Sequence, residues 1–262
     1  MVPSSQSETK KLSVEGGSEM NSIRFLSRQS MRILLALAFL VPSLAGITST
    51  AFASGASGPA AVYTLTNANS GNEVLVYNRG TDGTLSFQGS FATGGLGSGA
   101  GLGSQGSLVF SKNNEWLFAV NAGSNQISVF LVRPDGLKLV DVVASGGEQP
   151  ISLTNHGKSL YVLNAGGSGN ITGFSIASNG KLSPMAGSTQ PLSNLGVGAA
   201  PGPAEIAYSP DGRTLVVTEK ASNLIDTYPV ENGLAQQPAT HPSSGLTPFG
   251  FAFNTTGTLV VS

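Results

Sequence analysis

The sequence predicts an all-β protein, a β-propeller of four-stranded antiparallel blades, with three blades complete and two partial. Three observations carry this. A unit of about 43 residues recurs along the chain, Asn-Gly and Asp-Gly pairs punctuate short apolar runs, and the composition is rich in Gly (35) and poor in charge (10%). Fixed periods near 40–45 residues mark propeller blades. Asn-Gly and Asp-Gly pairs supply the positive φ angles that tight hairpins need.

The first segment does not belong to the repeat. Residues 1–53 read as an N-terminal extension with a signal peptide, over about 24–53. Arg24, Arg28 and Arg32 precede the apolar run Ile33 to Val41, and Ala51-Phe52-Ala53 forms a small-residue cleavage site. The run is about nine residues, too short for a stable membrane span. Cleavage after Ala53 is expected, with export to the periplasm or the extracellular space and no span left in the mature chain. Residues 54–60 read as a linker.

The repeat fills residues 61–262. Ser107 to Gly123, Ser152 to Gly166, Glu205 to Glu219 and Gly250 to Ser262 align beneath one another, with Asn121, Asn164 and Thr218 in register. Each unit has a short apolar strand, a polar turn, a second apolar strand, an Asn/Ser/Gly turn, an alternating third strand and an outer fourth. Second strands such as Trp116 to Val120 and Leu215 to Val217 are continuously apolar, which fits burial between neighbouring blades. The blades fall at about 61–95, 105–147, 149–193, 202–245 and 247–262. Ala61 to Asn67 matches a second strand, so the first blade lacks its inner one. The last blade stops in its second strand. A ring of seven blades would need on the order of 110–130 further residues, so the sequence reads as a fragment or truncated product. A completed ring would be monomeric.

Composition excludes several functions. From Ser54 onward there are eight Lys/Arg against eleven Asp/Glu, a net charge of −3, and no basic cluster. Nucleic-acid binding through phosphate neutralisation is not expected. There is no cysteine, and His156 and His241 are the only histidines, so disulfides, thiolate chemistry and multi-histidine metal sites are excluded. Gly101-x-Gly103-x-x-Gly106 matches a dinucleotide fingerprint by letter, but a strand follows it where phosphate binding needs a helix N-terminus. The segment 94–106 therefore reads as a flexible inter-blade loop, and no cofactor is expected. His156 and His241 read as turn and loop residues, and Trp116 as core. Asn170-Ile171-Thr172 is a glycosylation sequon.

Ser209-Pro-Asp-Gly-Arg-Thr-Leu-Val-Val-Thr218, Leu160-Tyr-Val-Leu-Asn-Ala-Gly166 and Trp116-Leu-Phe-Ala-Val-Asn-Ala-Gly123 resemble the seven-bladed lactonase-type β-propellers. That group includes propeller-type 6-phosphogluconolactonases and carboxymuconate-lactonizing enzymes. The resemblance covers 61–262. It implies an inner strand that opens with Gly-Pro-Arg-His and a Glu after the next strand. The matching residues are Gly202-Pro203-Ala204-Glu205 and Glu219. Glu219 fits, while Ala204 and Glu205 stand at the Arg and His positions. Lactone chemistry needs a positive group for the developing oxyanion and an acid or base for the ring oxygen.

Glu219 and Glu205 are therefore the candidate catalytic residues. Gln105, Gln149, Arg213 and Lys220 are candidate substrate-binding residues around a central funnel. Two functions compete. One is an exported propeller that binds a small molecule, glycan or protein partner without a catalytic set. The other is a lactone hydrolase or lactonizing cyclase.

Overall fold

The computed structural model describes residues 60–262 except residue 255; the expected signal peptide lies outside them. Among the described residues there are nineteen strands and no helix, and each sheet is antiparallel and built from chain-consecutive strands. This is the all-β propeller architecture the repeat predicts. The first sheet holds β1 (Ala60–Leu65), β2 (Glu73–Arg79) and β3 (Leu85–Ala92). The second runs in the order β4 (Leu108–Phe110), β5 (Trp116–Asn121), β6 (Gln126–Arg133) and β7 (Gly136–Ala144).

The third sheet is β8 (Pro150–His156), β9 (Ser159–Asn164), β10 (Asn170–Ile176) and β11 (Leu182–Pro184), with β12 (Gln190–Pro191) also on β10. The fourth is β13 (Pro203–Tyr208), β14 (Thr214–Glu219), β15 (Leu224–Glu231) and β16 (Leu234–Ala235), with β17 (Ala239–Pro242) also on β15. The last is the pair β18 (Phe251–Phe253) and β19 (Leu259–Val261). Asn232 and Gly233 both have positive φ (52° and 82°) and close the β15–β16 hairpin, the backbone that Asn-Gly adopts most readily.

Two features differ from the sequence expectation of one continuous fourth strand. Between β11 and β12 the ladder is replaced by a side chain: Ser188 Oγ accepts from the Gly173 N–H (3.0 Å) and donates to its C=O (3.1 Å). Between β16 and β17 lies Pro238, opposite a β15 that carries Pro229. Proline has no N–H to give a ladder. His156 is the last residue of β8, with its ring 5.6 Å from that of Tyr208, and His241 belongs to β17. Both are strand residues, because pairing across the blade extends the strands beyond the turn chemistry seen locally.

The second strands explain how the blades adhere. Alternate side chains of a strand point to opposite faces. In β5, Leu117 and Ala119 pack with Val74 and Val76 of the first sheet, while Trp116, Phe118 and Val120 pack with Leu153, Leu160 and Val162 of the third. In β9, Leu160 and Val162 face back while Tyr161 and Leu163 face forward to Ile206, Leu215, Val217 and Tyr228. Both faces are buried, so the run is apolar without alternation. Side chains also stitch the blades together. Tyr161 Oη accepts from Ala235 N–H (2.8 Å) and donates to Gly233 C=O (3.1 Å). Ser152 and Thr154 hydroxyls accept from the N–H groups of Ile206 and Tyr208 (both 3.1 Å). Asn125 and Asn223, both at positive φ, accept on Oδ1 from Gln149 N–H (2.7 Å) and Thr247 N–H (2.6 Å), where the chain enters the next blade.

Candidate functional site

Antiparallel pairing of β13 with β14 sets Pro203 opposite Glu219 and Glu205 opposite Thr218. Glu205 and Lys220 therefore lie at one end of the fourth blade. Arg213 precedes β14 at the other end. The six residues of β14 span about 20 Å at a strand rise of ~3.3 Å per residue. Arg213 is exposed, and its N–H donates to Asp211 Oδ1 (3.1 Å). It does not join Lys220. Gln149 is exposed at φ 53°, with its N–H on Asn125 and its C=O accepting from Ala165 N–H (2.9 Å). Its backbone forms the opening of β8.

Gln105 is brought to the fourth blade by the segment expected to be a flexible loop. Ser104 Oγ donates to Ile151 C=O (2.9 Å), Gln105 N–H to Ala204 C=O (3.0 Å), and Gly106 C=O accepts from Leu153 N–H (2.8 Å). The segment thus crosses the ends of β8 and β13. Glu205 Oε2 accepts from Phe251 N–H of the next blade (2.8 Å). A Cβ placed on Gly250 would lie 3.3 Å from Gln105 Cγ and 3.6 Å from Glu205 Oε2. The ammonium of Lys220 donates to Gly103 C=O and sits 5.2 Å from the centre of the Phe249 ring. Gln105, Glu205 and Lys220 with Phe249 and Gly250 thus gather around β13 and the approach to β18. Sequence reasoning missed Gly103, Phe249 and Gly250. Only Gly250 left a signal, since it aligns with Glu205 in the repeat.

Burial shifts both charges of this patch. It raises the carboxyl pKa of half-buried Glu205, against the Phe251 N–H, which lowers it. It lowers the pKa of Lys220. Both groups move towards neutrality, the direction useful for proton transfer.

Glu219 is elsewhere. Its side chain, wholly buried, turns away from this patch and lies beneath the connector between the third and fourth blades. Oε1 accepts from Ser193 N–H (3.0 Å), and Oε2 from Ser193 Oγ (2.5 Å) and Ser222 Oγ (2.7 Å). Diagonally across the β14–β15 register, on the same face, is Asp226, also wholly buried. Asp226 Oδ1 accepts from Thr240 Oγ1 (2.9 Å), and Oδ2 lies 3.5 Å from the hydroxyl of Tyr228, which also donates to Pro191 C=O (3.0 Å). Burial, with Glu219 alongside, pushes the Asp226 carboxyl up to about 7. The repeat carried a signal for this pair. The strand pairing corrects the repeat register by one residue: Asn121 and Asn164 end β5 and β9 as Glu219, and not Thr218, ends β14, and two residues into the following strands stand Ser128, Thr172 and Asp226. Asn121 Nδ2 donates to Ser128 Oγ (2.7 Å). The position is a blade-joining one in each unit, and only the fourth blade makes it acidic.

Among the described residues, no group of three or more His, Asp or Glu side chains could hold a metal ion. Asn170 of the sequon is engaged internally, accepting from Asn164 Nδ2 (2.7 Å).

A family model described as lactonase, 7-bladed beta-propeller, matches residues 61–197 and 187–262. No curated protein matches. The periplasmic gluconolactonase of Pseudomonas aeruginosa superposes with a TM-score of 0.56 at 22% identity, over 72% of this chain and 56% of that one. A candidate 6-phosphogluconolactonase from Bacteroides fragilis gives 0.56 at 20% identity, over 72% and 57%. A protein from Lactobacillus plantarum gives 0.55 at 14%, over 79% and 68%. The chain spans a little over half the length of the first two, and the likeness is one of fold.

Proposed function

The chain belongs to the seven-bladed β-propeller lactonase family, and from that premise we propose that the patch of Gln105, Glu205 and Lys220 binds a small hydroxylated carboxylate or its lactone. The observation that carries this is the chemistry left at the patch. A cation, a carboxylate and an amide converge there beside an aromatic ring. The Glu expected to do chemistry is enclosed by Ser193 and Ser222. Lys220 would pair with the ligand's carboxylate or polarise its carbonyl, and Glu205 and Gln105 would hold hydroxyls. Binding without turnover is the primary reading. Hydrolysis is the second, favoured by the raised carboxyl of Glu205, whose ionised form is the stronger base for it. Glu205 would then take the proton of a water attacking the carbonyl, Lys220 in its cationic form would stabilise the oxyanion, and Glu205 would return the proton to the ring oxygen as its bond to the carbonyl carbon breaks.

Calorimetry with gluconate, alongside proton-release assays with glucono-1,5-lactone, separates these readings. We expect gluconate to bind and its affinity to fall about tenfold or more with Lys220→Met, the size of one lost charge-assisted hydrogen bond. Lactone opening at the buffer rate fits the primary reading. Opening above it that is abolished by Glu205→Gln establishes the second. Absence of gluconate binding at millimolar concentration overturns the primary reading.

The protein is also proposed to act outside the cytoplasm. The basic residues, apolar run and Ala51-Phe52-Ala53 of the leader support this. N-terminal sequencing of protein expressed from the full gene should find Ser54 first; an intact leader on soluble, cell-retained protein would sink the idea.

A further inference from the structure

Glu219 and Asp226 are two carboxylates at diagonal positions on one face of the paired strands β14 and β15, wholly buried, with no cation beside them among the described residues. We propose that this pair is a proton-operated latch on the connector between the third and fourth blades, closed when the pair holds one proton and loosened when it holds none.

The surroundings make the proton necessary. The groups facing the pair are Ser193 and Pro191 of the connector, Ser222, Thr240 of β17 and Tyr228 of β15. Residues 182–204 contain no titratable side chain. Lys220, next in sequence, directs its ammonium to Gly103 and Phe249. Glu205 of β13 is turned to Phe251, and the His241 imidazole is engaged with the Thr227 hydroxyl (3.0 Å). Among the described residues the only ion pair is Arg133 with Asp135. Two bare carboxylates so placed in such a shell repel strongly, and one shared proton turns repulsion into a hydrogen bond.

The acids are not needed for packing. In the second and third blades the same two positions are Asn121 with Ser128 and Asn164 with Thr172, which reach the preceding blade without charge through Asn72, Thr93 and Ser145. What the acidic pair adds is a titration at the place where the connector is held. Both bonds from Ser193 end on Glu219. Just beyond it Leu195 has φ 54° and is 70% exposed, and Val197 is 76% exposed. A leucine in the left-handed region is strained and persists only where its surroundings impose it. Release of Ser193 relaxes that strain, so the connector is the element that yields.

The sign follows from linkage. Asp226 binds its proton more tightly folded than unfolded, so its contribution is complete below about pH 4 and is lost as pH rises through about 7. One proton taken up on closing makes connector opening about tenfold more favourable per pH unit between those two values, and the effect levels off above about 7.

The test is hydrogen exchange of the backbone amides of 193–200 in the full chain at pH 6 and pH 8, corrected for intrinsic base catalysis. Wild type should lose about tenfold in protection between them. Asp226→Asn, which keeps an N–H donor towards Glu219 at every pH, should lose none. Should that variant not fold, Glu219→Asn with Asp226→Thr copies the third blade's pairing and should be equally insensitive. Unchanged protection in wild type, or the same loss in the variants, overturns the latch.

Discussion

Phe118→Ala is expected to lower the unfolding free energy by about 3–5 kcal/mol, the range for a buried aromatic truncated in a core. Phe118 sits mid-strand in β5 and is wholly buried. It packs with Val129, Leu153, Leu160 and Val162 at the interface between the second and third blades. Each blade meets only its neighbours, so this interface has no other layer to collapse into the space left behind. Domains of this size are stable by about 5–15 kcal/mol, so the loss is a large fraction of the total. Urea unfolding followed by Trp116 fluorescence measures it, since Trp116 lies in the same cluster. Phe87→Ala is the control: Phe87 is 60% exposed on β3 and should change stability by about 0.5 kcal/mol or less. A loss under about 1 kcal/mol for Phe118→Ala would mean that the blades do not pack through β5 as described.

Gly123→Ala is expected to cost about 3 kcal/mol, at the upper end of overpacking penalties, and to free the connector between the first and second blades. The cause is contact with backbone. A methyl at Gly123 would lie 2.1 Å from the carbonyl oxygen of Gly97, and Gly123 N–H already donates to Leu96 C=O (2.9 Å). Gly97 is itself stacked on Asn67, where an added Cβ would be 2.1 Å from the carbonyl carbon. No side chain can rotate away. The same place in the third blade is Gly166, tight against Glu148. In the fourth it is Ala221, and there the connector supplies Gly202 opposite, where an added Cβ would be 3.0 Å from the Ala221 methyl. The small residue has changed sides, but one is still present. Thermal melting together with limited proteolysis of residues 94–106 measures the effect; a variant as stable and as protease-resistant as wild type would remove this reading of Asn-Ala-Gly.

Much of the fold was legible because it depends on chain-local chemistry. The Asn-Gly and Asp-Gly turns, the unbroken apolar second strands and the 43-residue spacing each reflect neighbours within one blade. The outer strands were less legible. Ser188 interrupts one by pairing with Gly173, and Pro238 another, and neither contact has a periodic signature. The site was legible only in part. Glu205, Lys220 and Gln105 were reachable by aligning repeats, whereas Phe249 and the Gly103 carbonyl were not. Arg213 stood near Glu219 in sequence yet occupies the far end of the same strand. Asp226 stands in an alternating third strand where an acid usually faces solvent, and only the pairing of β15 with β14 buries it near Glu219.

By itself, then, the sequence determined the class of fold, the blade spacing and the places where each blade turns, since hairpins and alternating faces are governed by residues a few positions apart. Tertiary structure decided which side chains meet. The contact of Lys220 with Gly103 spans 117 residues and that of Glu205 with Phe251 spans 46. Whether a strand-end acid faces the funnel or the blade junction depends on how neighbouring sheets are rotated against one another. That rotation comes from the packing of β5, β9 and β14 on both faces, and no single repeat carries it.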